Sequence, residues 1–128
     1  EPWRVVPAEP TGPPSGVAAS AVLPLVTAED LAGQAWEVVA ARREDDARTT
    51  AAERATAHRD RAEAWAVSTQ VAGTGLDPRR TSYALPAGLL SGEDAASTTG
   101  LADLETGLAD AYATLAAQAA PAARASLL

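Results

Sequence analysis

The sequence predicts an all-α protein, a four-helix bundle with a long crossover between helices two and three and a fourth helix that is short or truncated. Three observations predict it. Apolar residues recur at helical spacing in three long stretches of a 128-residue chain. Alanine makes up roughly a quarter of the residues, phenylalanine and lysine are absent, and hydrophobic residues reach 47% with only 4% aromatic. Such a chain fills its core with small side chains on closely spaced helices. Prolines crowd the first 26 residues, and a second proline- and glycine-rich stretch spans 73–91, so both resist helix. At 13.0 kDa the chain suits one domain.

The elements follow in order. Pro2, Pro7, Pro10, Pro13 and Pro14 rule out regular helix at the start. Residues 1–26 read as a proline-rich arm, in which Trp3, Val5 and Val6 could dock on a neighbouring surface. A short helix is expected over residues 15–23, limited by Pro24. The domain proper is expected over 27–128. Thr27-Ala28-Glu29-Asp30 has the capping-box pattern and opens a first helix over about 28–44. Leu31, Ala35, Val38 and Val39 form its inner stripe with Trp36 on the flank, and Arg42 and Arg43 favour the C-terminal dipole. Thr50-Ala51-Ala52-Glu53 is a second capping-box pattern, although the second helix can begin near Ala47. Its seam is Ala51, Ala55, His58, Ala62, Trp65 and Thr69, and Gly73 supplies a left-handed stop.

In the stretch 73–91, Tyr83, Leu85 and Leu89 offer apolar anchors around Pro86. Ser91-Gly92-Glu93-Asp94 then reads as a third capping box. The third helix runs to about Ala119 with a seam of Leu101, Leu104, Leu108, Ala111 and Leu115, edged by Tyr112. Gly100 and Gly107 cost roughly 1 kcal/mol each in helix propensity unless they admit a close neighbour. Pro121 suits the first turn of the fourth helix.

Loop length sets the topology. A helix of about 25 residues is roughly 38 Å long, and nineteen extended residues reach about 60 Å. The loop can therefore return along the whole bundle and start helix three at the same end as helix two. A disordered loop in an up-down-up-down bundle is the competing reading. Arg48, Arg54, Arg59 and Arg61 on helix two face an acidic helix three carrying Glu93, Asp94, Asp103, Glu105 and Asp110, which favours those two as neighbours.

Bulk chemistry excludes several functions. With no cysteine and one histidine there is no thiolate or multi-histidine metal site and no thiol nucleophile. The net charge of −7 disfavours nucleic acid and anionic lipid. No run reaches the ~20 apolar residues of a membrane span. Gly73-Thr74-Gly75 lacks the helix and lysine of a phosphate loop. The chain opens with Glu1-Pro2-Trp3, which reads as a processed product or excised fragment, with any targeting segment upstream.

Four segments carry a family resemblance: Ala28-Glu29-Asp30-Leu31-Ala32-Gly33-Gln34-Ala35-Trp36-Glu37, Ala57-His58-Arg59-Asp60-Arg61-Ala62-Glu63-Ala64-Trp65, Tyr83-Ala84-Leu85-Pro86, and Leu104-Glu105-Thr106-Gly107-Leu108-Ala109-Asp110-Ala111-Tyr112. Over about residues 24–128 the chain resembles a ferritin-like domain of unknown function, common in actinobacteria and often the C-terminal part of exported proteins or lipoproteins. The resemblance implies a ferritin-like four-helix bundle and an exported or cell-envelope location, with a cytoplasmic one left open. It implies no reaction.

A di-iron site in such a bundle needs Glu-x-x-His on two helices, and no Glu-x-x-His occurs here. Glu53 and His58 are five apart and diverge around the helix. No metal site is favoured; the weak candidates for a reduced one, holding iron or manganese, are Glu29, Glu37, His58 and Glu105. The simpler expectation is a neutral His58 hydrogen-bonded to a carboxylate, with Glu37 and Glu105 pairing with Arg54 or Arg61. Trp36 and Trp65 read as core plugs, and Tyr83, Leu85 and Pro86 as structural residues of the loop. No catalytic or cofactor-binding residue is assigned. The expected function is that of a non-catalytic envelope protein acting through helix packing, as a homo-oligomer or with a helical partner. An apolar groove between the helices would be filled by residues 15–26 or by another chain. The alternatives are a metal-binding or oxidoreductase-type protein built around His58, and a small-molecule binder using the gap between helices.

Overall fold

The computed structural model describes residues 18–90 and 94–119. The expectations for residues 1–17, for the cap at Ser91 and for a fourth helix from Pro121 fall outside the described residues. Within them the chain is all-helical, with α1 over Ala19–Ala41, α2 over Asp45–Ser68, a one-turn α3 over Ala87–Leu90, and α4 over Asp94–Gln118. Helix α4 is the third helix expected from the sequence.

Helix α1 begins eight residues before the expected cap, so residues 19–26 belong to the bundle and neither to an arm nor to a groove-filling segment. Pro24 sits inside α1. Its ring removes one intrahelical bond, at a cost of about 3 kcal/mol in a helix interior. Burial outweighs that cost. Val22, Leu25 and Val26 are at most 1% exposed, and each such side chain contributes about 1.5–3 kcal/mol. Thr27 is therefore mid-helix, and α1 starts from Ala18 without a side-chain cap. Thr50 is likewise internal to α2, whose N-cap is Glu44 and whose first turn carries Asp45 and Asp46 at the positive end of the dipole.

The α1–α2 connection is tight, and Arg48 closes it. Its Nε donates to the carbonyls of Ala40 (3.2 Å) and Arg43 (2.7 Å), and Nη2 to that of Ala41 (3.3 Å). The orphan carbonyls at the end of α1 are thus capped from α2 rather than by Arg42 and Arg43. Arg42 instead donates from Nη1 to the Leu89 carbonyl, 2.9 Å away, and ties α3 to this end.

Helix α2 ends at Ser68, and the left-handed residue that stops it is Gln70, not Gly73. Gln70 takes φ 62, its N–H donates to the Val67 carbonyl, and the Val71 N–H donates to that of Ala66, both at 3.0 Å. This is a Schellman closure, with Val71 buried as its apolar contact. Gly73, at φ 71, turns the chain three residues later.

Side-chain bonds establish the direction of the helices. His58 meets Glu105, and Trp65 meets Tyr112; position advances by seven residues on both helices, so α2 and α4 run parallel. Glu29 meets Tyr112 and Trp36 meets Glu105, so α1 is antiparallel to α4. The segment 69–86 therefore returns the chain from the far end of α2 to the end where α1 finishes. Tyr83 docks midway: its N–H donates to Gln34 Oε1 at 2.7 Å, and its carbonyl accepts from Gln34 Nε2 at 3.3 Å. Leu85 packs on the core from the strap, and Leu89 is fully buried. Pro86 is exposed and leads into α3, its carbonyl accepting from the Leu89 N–H.

The core is in two parts. One gathers Val22, Leu25, Val26 and Trp65 with Leu108 and Leu115. The other gathers Ala35, Trp36 and Val39 with Ala55, Leu89 and Leu101. A buried polar layer lies between them.

Candidate functional site

The polar layer is built by seven-residue spacing on three helices. Glu29 and Trp36 on α1, His58 and Trp65 on α2, and Glu105 and Tyr112 on α4 each recur after about two turns, so each pair shares one face. Both tryptophans are buried. Their indole N–H groups, however, point into the layer and hold it.

His58 is at the centre, 4% exposed. Its Nδ1 lies 2.6 Å from Glu29 Oε2 and its Nε2 lies 2.8 Å from Glu105 Oε1. A carboxylate only accepts, so each bond needs a proton on the ring nitrogen, and the two form together only on the imidazolium. Burial disfavours that charge, but the hydrogen bonds to Glu105 and Glu29 outweigh it and raise the pKa of His58 above its ordinary value. The sequence led us to expect one carboxylate beside His58; the structure places two there.

Glu29 is 1% exposed. Burial pushes its pKa up; hydrogen bonds from His58, Arg61 and Tyr112 reverse the shift and hold it below the usual carboxylate value. Arg61 Nε donates to Oε1 at 2.9 Å, and the Tyr112 hydroxyl to the same oxygen at 2.7 Å. Trp65 Nε1 donates to the Tyr112 hydroxyl at 2.9 Å. Burial and the Glu29 charge raise the pKa of Tyr112, so it stays a neutral donor. Glu105, its side chain 41% exposed, takes His58 and the Trp36 indole (2.9 Å) on Oε1, which lowers its pKa to about 2. Arg61 Nη2 lies 3.0 Å from His58 Nδ1. Glu29 bonds both groups.

A second network covers another face of α1, where Asp30, Gly33, Gln34 and Glu37 are neighbours. Arg59 Nη1 donates to Asp30 Oδ1 at 2.6 Å, and its Nε and Nη2 donate to the two Glu37 oxygens at 3.1 and 2.9 Å. The Tyr83 hydroxyl donates to Asp30 Oδ2 at 2.7 Å and accepts the Arg80 N–H at 3.0 Å.

Of the four candidate ligands, Glu29, His58 and Glu105 converge, and Glu37 lies apart with Arg59. The expected pairings of Glu37 and Glu105 with Arg54 or Arg61 do not form. Arg61 turns to Glu29, and the Arg54 guanidinium lies 4.9 Å above the Trp36 ring. The arginines of α2 thus serve α1 rather than the acidic α4, which meets α2 through His58. Among the described residues no group of three or more His, Asp and Glu side chains is arranged to hold a metal ion. The imidazole already sits at hydrogen-bond distance from both carboxylates, so the three groups bond one another rather than facing a common point. Asp30, Gln34, Arg59, Arg61 and the Tyr112 hydroxyl were not read from sequence as parts of a site. The seven-residue recurrence of an acid or histidine followed by an aromatic was the signal available.

Every buried side-chain nitrogen and oxygen of the described residues has a hydrogen-bond partner. No described helix is long and apolar enough to cross a membrane. No curated protein and no solved structure matches the chain. Residues 18–127 match the family profile described as "Domain of unknown function (DUF4439)", and the chain belongs to that family.

Proposed function

We propose that the chain is a ferritin-like helical domain of the cell envelope that acts without catalysis, through packing with itself or with a helical partner. One observation carries this reading: the polar centre is closed on itself. Both imidazole nitrogens and both Glu29 oxygens are engaged by protein groups, so the residues best suited to bind or activate a substrate are committed to one another. The parallel α2 and α4, joined by a strap that returns along the bundle, support the ferritin-like part of the reading. The envelope part rests on the resemblance of the four quoted segments.

Two measurements on the purified chain test it. Size-exclusion chromatography with light scattering should find a self-associated species, or a discrete complex with a helical partner; a strictly monomeric, compact species argues against it. The chain is also incubated with iron, manganese or zinc, desalted and subjected to elemental analysis. Background metal is expected. Retention of one ion per chain, lost in His58→Ala, overturns the non-catalytic reading.

A further inference from the structure

The bonds that join α4 to α2 include Trp65–Tyr112 and His58–Glu105. The second depends on a proton. If the ring loses one proton, one nitrogen turns a lone pair toward a carboxylate oxygen less than 3 Å away. The two sides answer differently. Glu29 is buried and pinned by Arg61 and Tyr112. Moreover, Arg61 Nη2 is near enough to Nδ1 to steady that side. Glu105 is 41% exposed and can turn to water, and in turning it also gives up the Trp36 indole. The charged and titratable groups around the ring are Glu29 from α1, Arg61 from α2, and Glu105 from α4, with Tyr112 from α4 one bond beyond.

We infer that Glu29, His58 and Glu105 form a proton-dependent latch, which clamps α4 to the α1–α2 hairpin while the imidazole carries both protons and frees α4 on the Glu105 side when it loses one. The inference rests on the packing reading above and gives that packing a regulator, since a freed α4 alters the surface offered to a partner. The imidazole pKa, raised by its two carboxylates, places the release on the alkaline side of the ordinary histidine range.

The chain has a single histidine, so its imidazole resonance is unambiguous. The test follows that resonance from about pH 5 to about pH 10 in the full chain, together with amide hydrogen exchange in α4 relative to α1. The relative measure cancels the intrinsic pH dependence of exchange. Protection of α4 should fall through the imidazole titration, by about tenfold for each pH unit between the docked and undocked pKa values. In Glu105→Gln, which keeps an acceptor but removes the charge, the imidazole and the loosening of α4 should both move to lower pH. A protection ratio that stays flat through the titration, or a loosening that does not follow the imidazole in Glu105→Gln, overturns the latch. Either result leaves the packing reading to be decided by light scattering.

Discussion

Arg59 fills the space that a side chain at Gly33 would need: a Cβ there would stand 2.7 Å from Arg59 Cδ and 2.9 Å from Cγ. The glycine is what lets the arginine lie across α1 and reach Asp30 on one side and Glu37 on the other. Gly33→Ala therefore has opposite effects in two backgrounds. In the wild-type chain it should lower stability by about 1 kcal/mol, because displacing the guanidinium from a largely buried aspartate outweighs the helix propensity gained. In an Arg59→Ala background the obstruction is gone, and the same change should stabilise by up to about 1 kcal/mol. Urea unfolding of the four chains checks this; equal effects in both backgrounds would show that the contact is not coupled.

Glu105 governs the acid limb of stability. Its folded pKa is depressed to about 2, by His58 first and the Trp36 indole second, from an ordinary value of 4.5. A depressed carboxylate contributes stability above its unfolded pKa and loses it as pH falls through the folded one. Between about pH 4.5 and about pH 2 the urea midpoint should therefore fall, and Glu105→Gln should flatten that decline. Because Glu105 is partly solvated, the flattening should be modest. Asp77, held at about 2 chiefly by Arg79, adds to the same limb from the strap. Glu105→Gln should thus leave part of the acid slope, and Asp77→Asn together with it should remove more.

How far the sequence disclosed this structure differs from element to element. The leucine seam of α4 and the two tryptophans were legible because helical periodicity survives in an alanine-rich background. The returning strap was legible from loop length together with Tyr83, Leu85 and Leu89 as anchors. The helix starts were not. Thr27 and Thr50 look like caps to a local rule, but burial of Val22, Leu25 and Val26 on the far side of Pro24 carries α1 past the first of them. The distribution of charge also misled, since it suggested arginines of α2 facing α4. Which carboxylate each arginine reaches depends on the close α1–α2 approach at Gly33, a three-dimensional fact. Convergence of Glu29, His58 and Glu105 was foreseeable as a possibility, but the charge state of His58 follows only once both carboxylates are in place.

The end of α2 offers a test of backbone conformation alone. Gln70 is exposed and holds φ 62, a region that costs a residue with a Cβ roughly 1–2 kcal/mol. Gln70→Gly should therefore stabilise by about 0.5–1 kcal/mol, the larger freedom of the unfolded glycine offsetting part of the gain. Gly73→Ala is the mirror case. Nothing lies within 4 Å of its Cβ position, yet φ is 71, so it should destabilise by about 1 kcal/mol. Loss at Gly73 and gain at Gln70, read from thermal midpoints, together locate the helix stop; a loss at both positions would move it to Gly73.

Two glycines of α4 separate packing from propensity. Gly107 is exposed, and a Cβ there meets nothing within 4 Å. The only effect of Gly107→Ala is on the helix itself, and it should stabilise by about 1 kcal/mol. Gly100 is buried against Leu89, whose Cγ would lie 3.1 Å from an added Cβ. Leu89 is fully buried and anchors α3 to the second core cluster, so it has little room to yield. Gly100→Ala should therefore forfeit the propensity gain and lower stability by about 1 kcal/mol or more. Shortening Leu89 to alanine should abolish that penalty while adding the cost of the cavity, about 2–5 kcal/mol. A double-mutant cycle on Gly100 and Leu89 reads the coupling directly. A cycle that closes to zero would mean that α3 does not dock on α4 at this point.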